Sequence, residues 1–172
     1  MLKKLLFAVI LSQSIFSSDI AYSDTPYDDP LVKSIIREFE TYFPGIKVPK
    51  SGFINFQESP SVMVADSSTG KQRPSHGVCF PDWNNKKLNK IYLYASWWRT
   101  STNQWQKRKV LMHEMGHCLL NLKHLKNPLG YSIMSQTLDT VNPDGSNWGY
   151  LMGELRTRWM IYRRTGVGGY KY

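Results

Sequence analysis

The sequence predicts an α+β fold in a single domain, from the order of its helical and strand-like segments. A stretch with helical spacing comes first, short β-branched and aromatic stretches follow, and two further helical segments complete the chain. With 172 residues, 41% of them hydrophobic, the chain is long enough for one packed domain but short for two. We therefore expect helices packed against one mixed, mainly antiparallel sheet.

The N-terminus has the composition of an export signal. Two lysines precede an apolar run at 5–11 that is too short to span a bilayer comfortably. The small-x-small triplet at 21–23 suits signal-peptidase cleavage before Asp24. The sequence thus predicts a signal peptide at 1–23 and one mature domain at 24–172, secreted or periplasmic and with no stable membrane span after cleavage. An uncleaved membrane anchor is the alternative.

Helix and strand candidates follow in order along the mature domain. Apolar residues four apart predict a first helix over 31–43, which ends at Pro44-Gly45. Four segments rich in β-branched and aromatic residues predict strands, and these are 53–57, 62–66, 77–81 and 90–96. The polar segment 67–75 is predicted to be a surface loop or hairpin tip.

Two more helices are expected in the second half of the chain. One opens near Ser101, since Ser101 and Gln104 have the spacing of a capping box and an apolar segment follows. An irregular stretch containing Pro128 and Pro143 comes next, and then a third helix over about 147–162.

The second of these helices contains two histidines with a glutamate between them, in the segment His113-Glu114-Met115-Gly116-His117. Histidines at i and i+4 project from one helical face, so both can bind one ion at about 2.0–2.1 Å. Neutral imidazole suits Zn²⁺, and a catalytic zinc keeps one position open for water. Zinc lowers the pKa of that water towards about 7, so Glu114 can take its proton and pass it to a leaving amine. The pattern predicts a zinc hydrolase, with peptide bonds the favoured substrate.

A third protein ligand is expected, because catalytic zinc usually has three. The segment continues as HEMGHCLLNLKH, which ends in His124. It resembles the HExxHxxGxxH signature of the metzincin zinc endopeptidases, in which a left-handed glycine returns the third histidine to the metal. Asn121 stands three residues before His124, as the family glycine does, and asparagine also adopts the left-handed conformation. The departure is one extra residue between His117 and Asn121, or about 100° of helical rotation.

The resemblance extends to the methionine turn that lies beneath the metal in metzincins. Met134, in the segment YSIMS, stands ten residues after His124. The resemblance implies an endopeptidase that cleaves a protein or peptide, with an edge strand that pairs with the extended substrate, for which we select 77–81. The metal ligands and general base that it implies are His113, His117, His124 and Glu114.

Several alternatives stay open at this stage. Glu154 on the third helix could supply the third ligand, as in zinc peptidases of the gluzincin type, although a pair with Arg158 at i+4 is its ordinary role. Asp139 and His76 are further candidates. Two other functions are an exported zinc protein that binds a partner without cleaving it, against which the presence of Glu114 argues, and a zinc hydrolase of cell-wall peptide crosslinks.

The charge and the cysteines limit the partners and the compartment. The formal net charge of +9 makes an anionic cell-envelope polymer a candidate partner. The basic residues are dispersed and no nucleic-acid module surrounds them, so no specific nucleic-acid partner is expected. No sequence feature sets an oligomeric state. Cys79 and Cys118 can form one disulfide in an oxidising compartment, while two buried thiols, or Cys118 as a metal ligand, are the alternatives.

Overall fold

The structure is a computed structural model, which describes residues 25–59, 63–65, 72–80, 89–125, 132–135 and 144–169. The signal peptide predicted at 1–23 and the ligand candidate Asp139 lie outside these residues. The elements in chain order are a 3-10 helix (Pro26–Asp28), α1 (Pro30–Tyr42), β1 (Ile54–Gln57), β2 (Met63–Ala65), β3 (Gln72–Pro74), β4 (Gly77–Phe80), β5 (Lys90–Tyr94), α2 (Ala95–Thr100), α3 (Gln104–Cys118) and α4 (Trp148–Thr165). The α+β prediction is confirmed.

The strands form a mixed three-stranded sheet and a separate antiparallel pair. In the larger sheet the order is β1, β5, β4, with β1 parallel to β5 and β4 antiparallel to it. The smaller pair consists of β2 and β3. Within the described residues β4 therefore lies at an edge of the larger sheet, as predicted for 77–81.

The core lies between this sheet, α1, α3 and α4. Ile91 and Leu93 of β5 are fully buried, whereas Tyr92 and Tyr94 on the other face are partly exposed. This is the alternation that the sequence predicts for a half-buried strand. The α1 residues spaced at helical intervals, Ile35, Phe39 and Phe43 among them, are also fully buried.

The beginning of α1 is fixed by one aspartate. Asp29 Oδ1 accepts hydrogen bonds from the backbone N–H groups of Leu31 (2.7 Å) and Val32 (3.2 Å). Its other oxygen, Oδ2, accepts from the indole N–H of the buried Trp98 at 2.8 Å. One side chain therefore caps α1 and ties it to α2.

The element boundaries differ from the predictions at the end of β5 and at the start of α3. The strand predicted over 90–96 ends at Tyr94, because Ala95 begins α2. The capping box predicted at Ser101 is wrong, because Ser101 ends α2. Its N–H donates to the carbonyl of Trp97 (2.8 Å). The side chain of Asn103 caps α3 instead, accepting from the N–H groups of Trp105 and Gln106.

Two further differences concern 67–75 and the last helix. The strand β3, paired with β2, occupies Gln72–Pro74, within the segment that the sequence assigned to a surface loop or hairpin tip. Helix α4 extends to Thr165, beyond the predicted end near 162, and ends at Gly166 in the left-handed conformation (φ 68°). None of the helices in the described part of the chain has the length and apolar content needed to cross a membrane.

Candidate metal centre

Three histidines converge at the end of α3. His113 and His117 lie one turn apart on the helix, and His124 returns to them from the segment that follows. Each pair of Nε2 atoms is 3.0 Å apart. The three nitrogens thus point at one another, and this group can hold a metal ion.

Carbonyl groups orient the two helical histidines through their other ring nitrogens. His113 Nδ1 lies 2.6 Å from the carbonyl oxygen of Ile133, and His117 Nδ1 lies 2.6 Å from that of Leu122. An acceptor at Nδ1 requires the proton there, so each neutral ring presents an unprotonated Nε2 to the cluster.

The electrostatics of the cluster favour this neutral form. Burial, together with the neighbouring histidines, lowers the pKa of His113 well below its usual value. Burial likewise lowers the pKa of His117 to about 4. At neutral pH unprotonated nitrogens face each other at 3.0 Å, where their lone pairs repel unless a cation lies between them. The donor set therefore fits a metal ion.

A widened helix end brings His124 to the cluster. Asn121 is left-handed (φ 59°), the one non-glycine residue with positive φ among those described. The N–H of Leu122 donates to the carbonyl of Gly116 at 3.0 Å. That donor lies six residues after its acceptor, against five in the ordinary left-handed helix ending. The extra residue of this sequence is thus absorbed in the last turn, and the expected bend at Asn121 is confirmed.

The alternative ligands are engaged elsewhere. Glu154 Oε2 accepts a hydrogen bond from the hydroxyl of Ser132 (2.7 Å), and its Oε1 lies 3.7 Å from Arg158 Nε, the i+4 pair expected from the sequence. His76 stacks on Trp97 with ring centroids 4.2 Å apart. Cys118 forms a disulfide with Cys79, their Cα atoms 5.7 Å apart, which removes it as a ligand.

The side chain of Glu114, on α3, is buried against the edge strand β4. Burial raises the pKa of its carboxyl group to about 8, which the hydrogen bond from the backbone N–H of Cys79 partly opposes. The disulfide joins that same cysteine to the end of α3. Strand and helix are thus linked covalently beside the carboxylate.

Gly77 allows the close approach of β4 to Glu114. A Cβ atom at this position would stand 2.8 Å from Val110 Cγ1 and 3.0 Å from Glu114 Cγ. Sequence reasoning did not single out Gly77, although a glycine at the start of an edge strand is a signal of close backbone approach. The glycine lets the strand pack directly against the side chain of Glu114.

The turn that contains Met134 packs against α3. Residues 132–135 form a turn closed by the N–H of Ser135 on the carbonyl of Ser132 (3.2 Å). Met134 is fully buried, and its carbonyl accepts from the N–H of Leu125 at 3.0 Å. The turn therefore contacts both the helix with the first two histidines and the loop with the third.

Comparisons of this chain with protein-family models, with characterised proteins and with solved structures find no match. The function is therefore inferred from the residues of the site.

Proposed function

We propose that this protein is an exported, zinc-dependent metalloendopeptidase that resembles the metzincins. The observation that carries the proposal is the convergence of three imidazole nitrogens, 3.0 Å apart, at the end of α3, which carries a buried glutamate between the first two histidines.

The donor set favours zinc. Three neutral imidazoles form a common ligand set of catalytic zinc, and they leave the fourth tetrahedral position to water or substrate. Hard ions such as Mg²⁺ and Ca²⁺ prefer oxygen ligands, which this group lacks. Zinc acts at such a site as a Lewis acid that acidifies water and polarises a carbonyl group.

Glu114 is the general base in this proposal. A buried carboxylate with a raised pKa binds a proton more tightly than an exposed one, so it can take the proton of the attacking water. It then returns that proton to the nitrogen of the leaving amine. The N–H of Cys79 holds the carboxylate during both transfers.

The edge strand supports a peptide substrate. In the described part of the sheet, β4 pairs with β5 on one side only. Apart from the N–H of Cys79, which donates to Glu114, the backbone groups on its other side can pair with an extended chain, the usual mode of strand addition. Because β4 also contacts Glu114 through Gly77, a peptide bound there would lie beside the carboxylate.

The disulfide supports export. Disulfides persist in secreted and periplasmic proteins and are rare in the cytosol, and Cys79–Cys118 agrees with the export signal predicted at 1–23. N-terminal sequencing of the exported protein tests this part, with cleavage before Asp24 expected.

The hydrolase proposal is tested with Glu114→Gln. The variant should retain one zinc per chain while the rate of casein hydrolysis falls about 10²–10⁴-fold. Glu58→Gln, at an exposed surface pair with Arg99, is the matched control and should retain activity. Chelation should abolish activity and added zinc should restore it.

Purified cell-wall peptide crosslinks form the second substrate arm. If the enzyme cleaves these crosslinks and not casein, its substrate is the cell wall and not a protein. Zinc binding by a wild-type protein that cleaves neither would identify a non-catalytic binding protein, and absence of zinc binding would overturn the proposal altogether.

A further inference from the structure

The loop that carries His124 rests on the end of α4 and the residues after it. The N–H of Lys123 donates to the carbonyl of Gly168 at 3.0 Å. Leu122 and Gly169 form an antiparallel bridge, and the amide of Asn121 donates to the hydroxyl of Tyr162. Three successive residues of the loop thus have partners in 162–169.

The glycines of this tail are required by its path. Gly166 and Gly168 have φ of 68° and 90°, a region that other residues rarely adopt. A Cβ atom at Gly169 would overlap the ring of Tyr162. The chain can therefore turn back along α4 and reach the loop only because these positions lack side chains.

The position of the His124 side chain depends on the local backbone conformation more than the positions of the other two histidines do. His113 and His117 are anchored in α3 and through Nδ1 to carbonyl oxygens. His124 follows the left-handed bend and is exposed. Its approach to the cluster is therefore set by the conformation of the loop.

We propose that Tyr162, Gly168 and Gly169, here called the C-terminal clamp, position His124 for metal binding. The clamp fixes the loop on both sides of the bend, through the side chain of Asn121 and the backbone of Leu122 and Lys123. The proposal rests on the metal site of the proposed function but not on peptide hydrolysis.

The test compares Gly169→Ala with Gly153→Ala in the full chain. Gly153 lies exposed on α4 with nothing within 4 Å of a built Cβ atom, so its substitution is the matched control. The dissociation constant for Co²⁺ and the visible absorption of the bound ion are measured, with His124→Ala as the reference for loss of the third ligand.

Gly169→Ala should weaken Co²⁺ binding about 10–100-fold, the usual effect of losing a group that orients a ligand. Its absorption spectrum should shift towards that of His124→Ala, while Gly153→Ala matches the wild type. If the clamp has a purely structural role, Gly169→Ala should lower the stability of the metal-free protein and leave the spectrum of the folded, Co²⁺-bound protein unchanged. That result, or binding within twofold of the control, overturns the proposal.

If Gly169→Ala does not fold, Tyr162→Phe tests whether the clamp positions His124. It removes only the hydroxyl that contacts Asn121, and a weaker affinity with a shifted spectrum is expected. Wild-type affinity and spectrum would overturn the clamp. Failure of the wild-type protein itself to bind Co²⁺ or Zn²⁺ would overturn the metal site, which distinguishes the two proposals.

Discussion

Gly116 of α3 lies so close to Met134 that a methyl group on the glycine would overlap the methionine sulfur. Gly116 immediately precedes His117, so the turn that contains Met134 supports the helix next to a candidate metal ligand. The contact is possible because position 116 has no side chain. The helix and the turn are therefore in direct contact beside His117.

This contact predicts the effect of Gly116→Ala. We expect the free energy of unfolding of the metal-free protein to fall by about 1–3 kcal/mol, the usual effect of overpacking a filled core. In an open helix the same change would stabilise by about 1 kcal/mol, so the sign is informative. Urea unfolding measures the difference.

Repeating the substitution in a Met134→Ala background identifies the cause. Removal of the thioether leaves room for the added methyl group, so Gly116→Ala should there be neutral or stabilising. The same loss of stability in both backgrounds would show that Met134 is not responsible.

Metal affinity should depend on pH through Glu114. In the metal-free protein its pKa is raised to about 8, so below that pH the carboxyl group carries a proton. A bound cation favours the ionised form and expels it. His117, with its pKa lowered to about 4, is already neutral above about pH 5, so it has almost no proton to release when the metal binds. Lower pH should therefore weaken binding mainly through Glu114.

We expect log K for Zn²⁺ to rise by about one additional unit per pH unit in the wild type compared with Glu114→Gln, between about pH 5.5 and 7.5. Competition with a chromophoric chelator measures both slopes. Protons on His124 affect the two proteins alike and cancel in the comparison. Identical slopes would show that Glu114 is ionised before the metal binds.

The sequence predicted the elements whose local pattern agrees with their packing. The four-residue spacing in α1 and the alternation in β5 identified buried faces directly. Helix α2 was missed, because the alternation of β5 continues to Ala95 and the next residues include two tryptophans, which favour strands. The hydrogen bond from Trp98 to Asp29, which is 69 residues away in sequence, helps hold α2 in place.

The site was predictable to the extent that it is local. The pair His113 and His117 follows from helical geometry alone. His124 was predicted from a resemblance, and the structure groups it with the other two histidines. The close approach at Gly77 and the contact of Tyr162 with Asn121 join distant segments. No spacing rule reaches across such distances, so these residues emerged only from the fold.

Asp29 should contribute more to stability than its neighbour. Asp29→Ala removes the cap of α1 and leaves the buried indole N–H of Trp98 without its acceptor, so a loss of about 2–4 kcal/mol is expected. Asp28→Ala is the control, since its hydrogen bond from Thr25 and its 3.7 Å pair with Lys33 are both exposed and should contribute little. Thermal unfolding of both variants checks this, and similar losses would contradict the role of Trp98.

The Cys79–Cys118 disulfide should stabilise the protein and also hold Glu114 in place. The bond joins residues 39 apart in sequence, and closing a loop of that length stabilises by roughly 4 kcal/mol in the chain-entropy model. The double variant Cys79→Ala/Cys118→Ala should lose about that much in urea unfolding under oxidising conditions. A reductant should destabilise the wild type similarly and leave the double variant unchanged.

The same variant separates the two effects of the disulfide. Since the N–H of Cys79 donates to Glu114, release of β4 should slow peptide hydrolysis at temperatures where the variant is still folded and still holds zinc. Full activity under those conditions would limit the disulfide to stability, because Gly77 and the pairing of β4 with β5 would then suffice to keep the strand against the carboxylate.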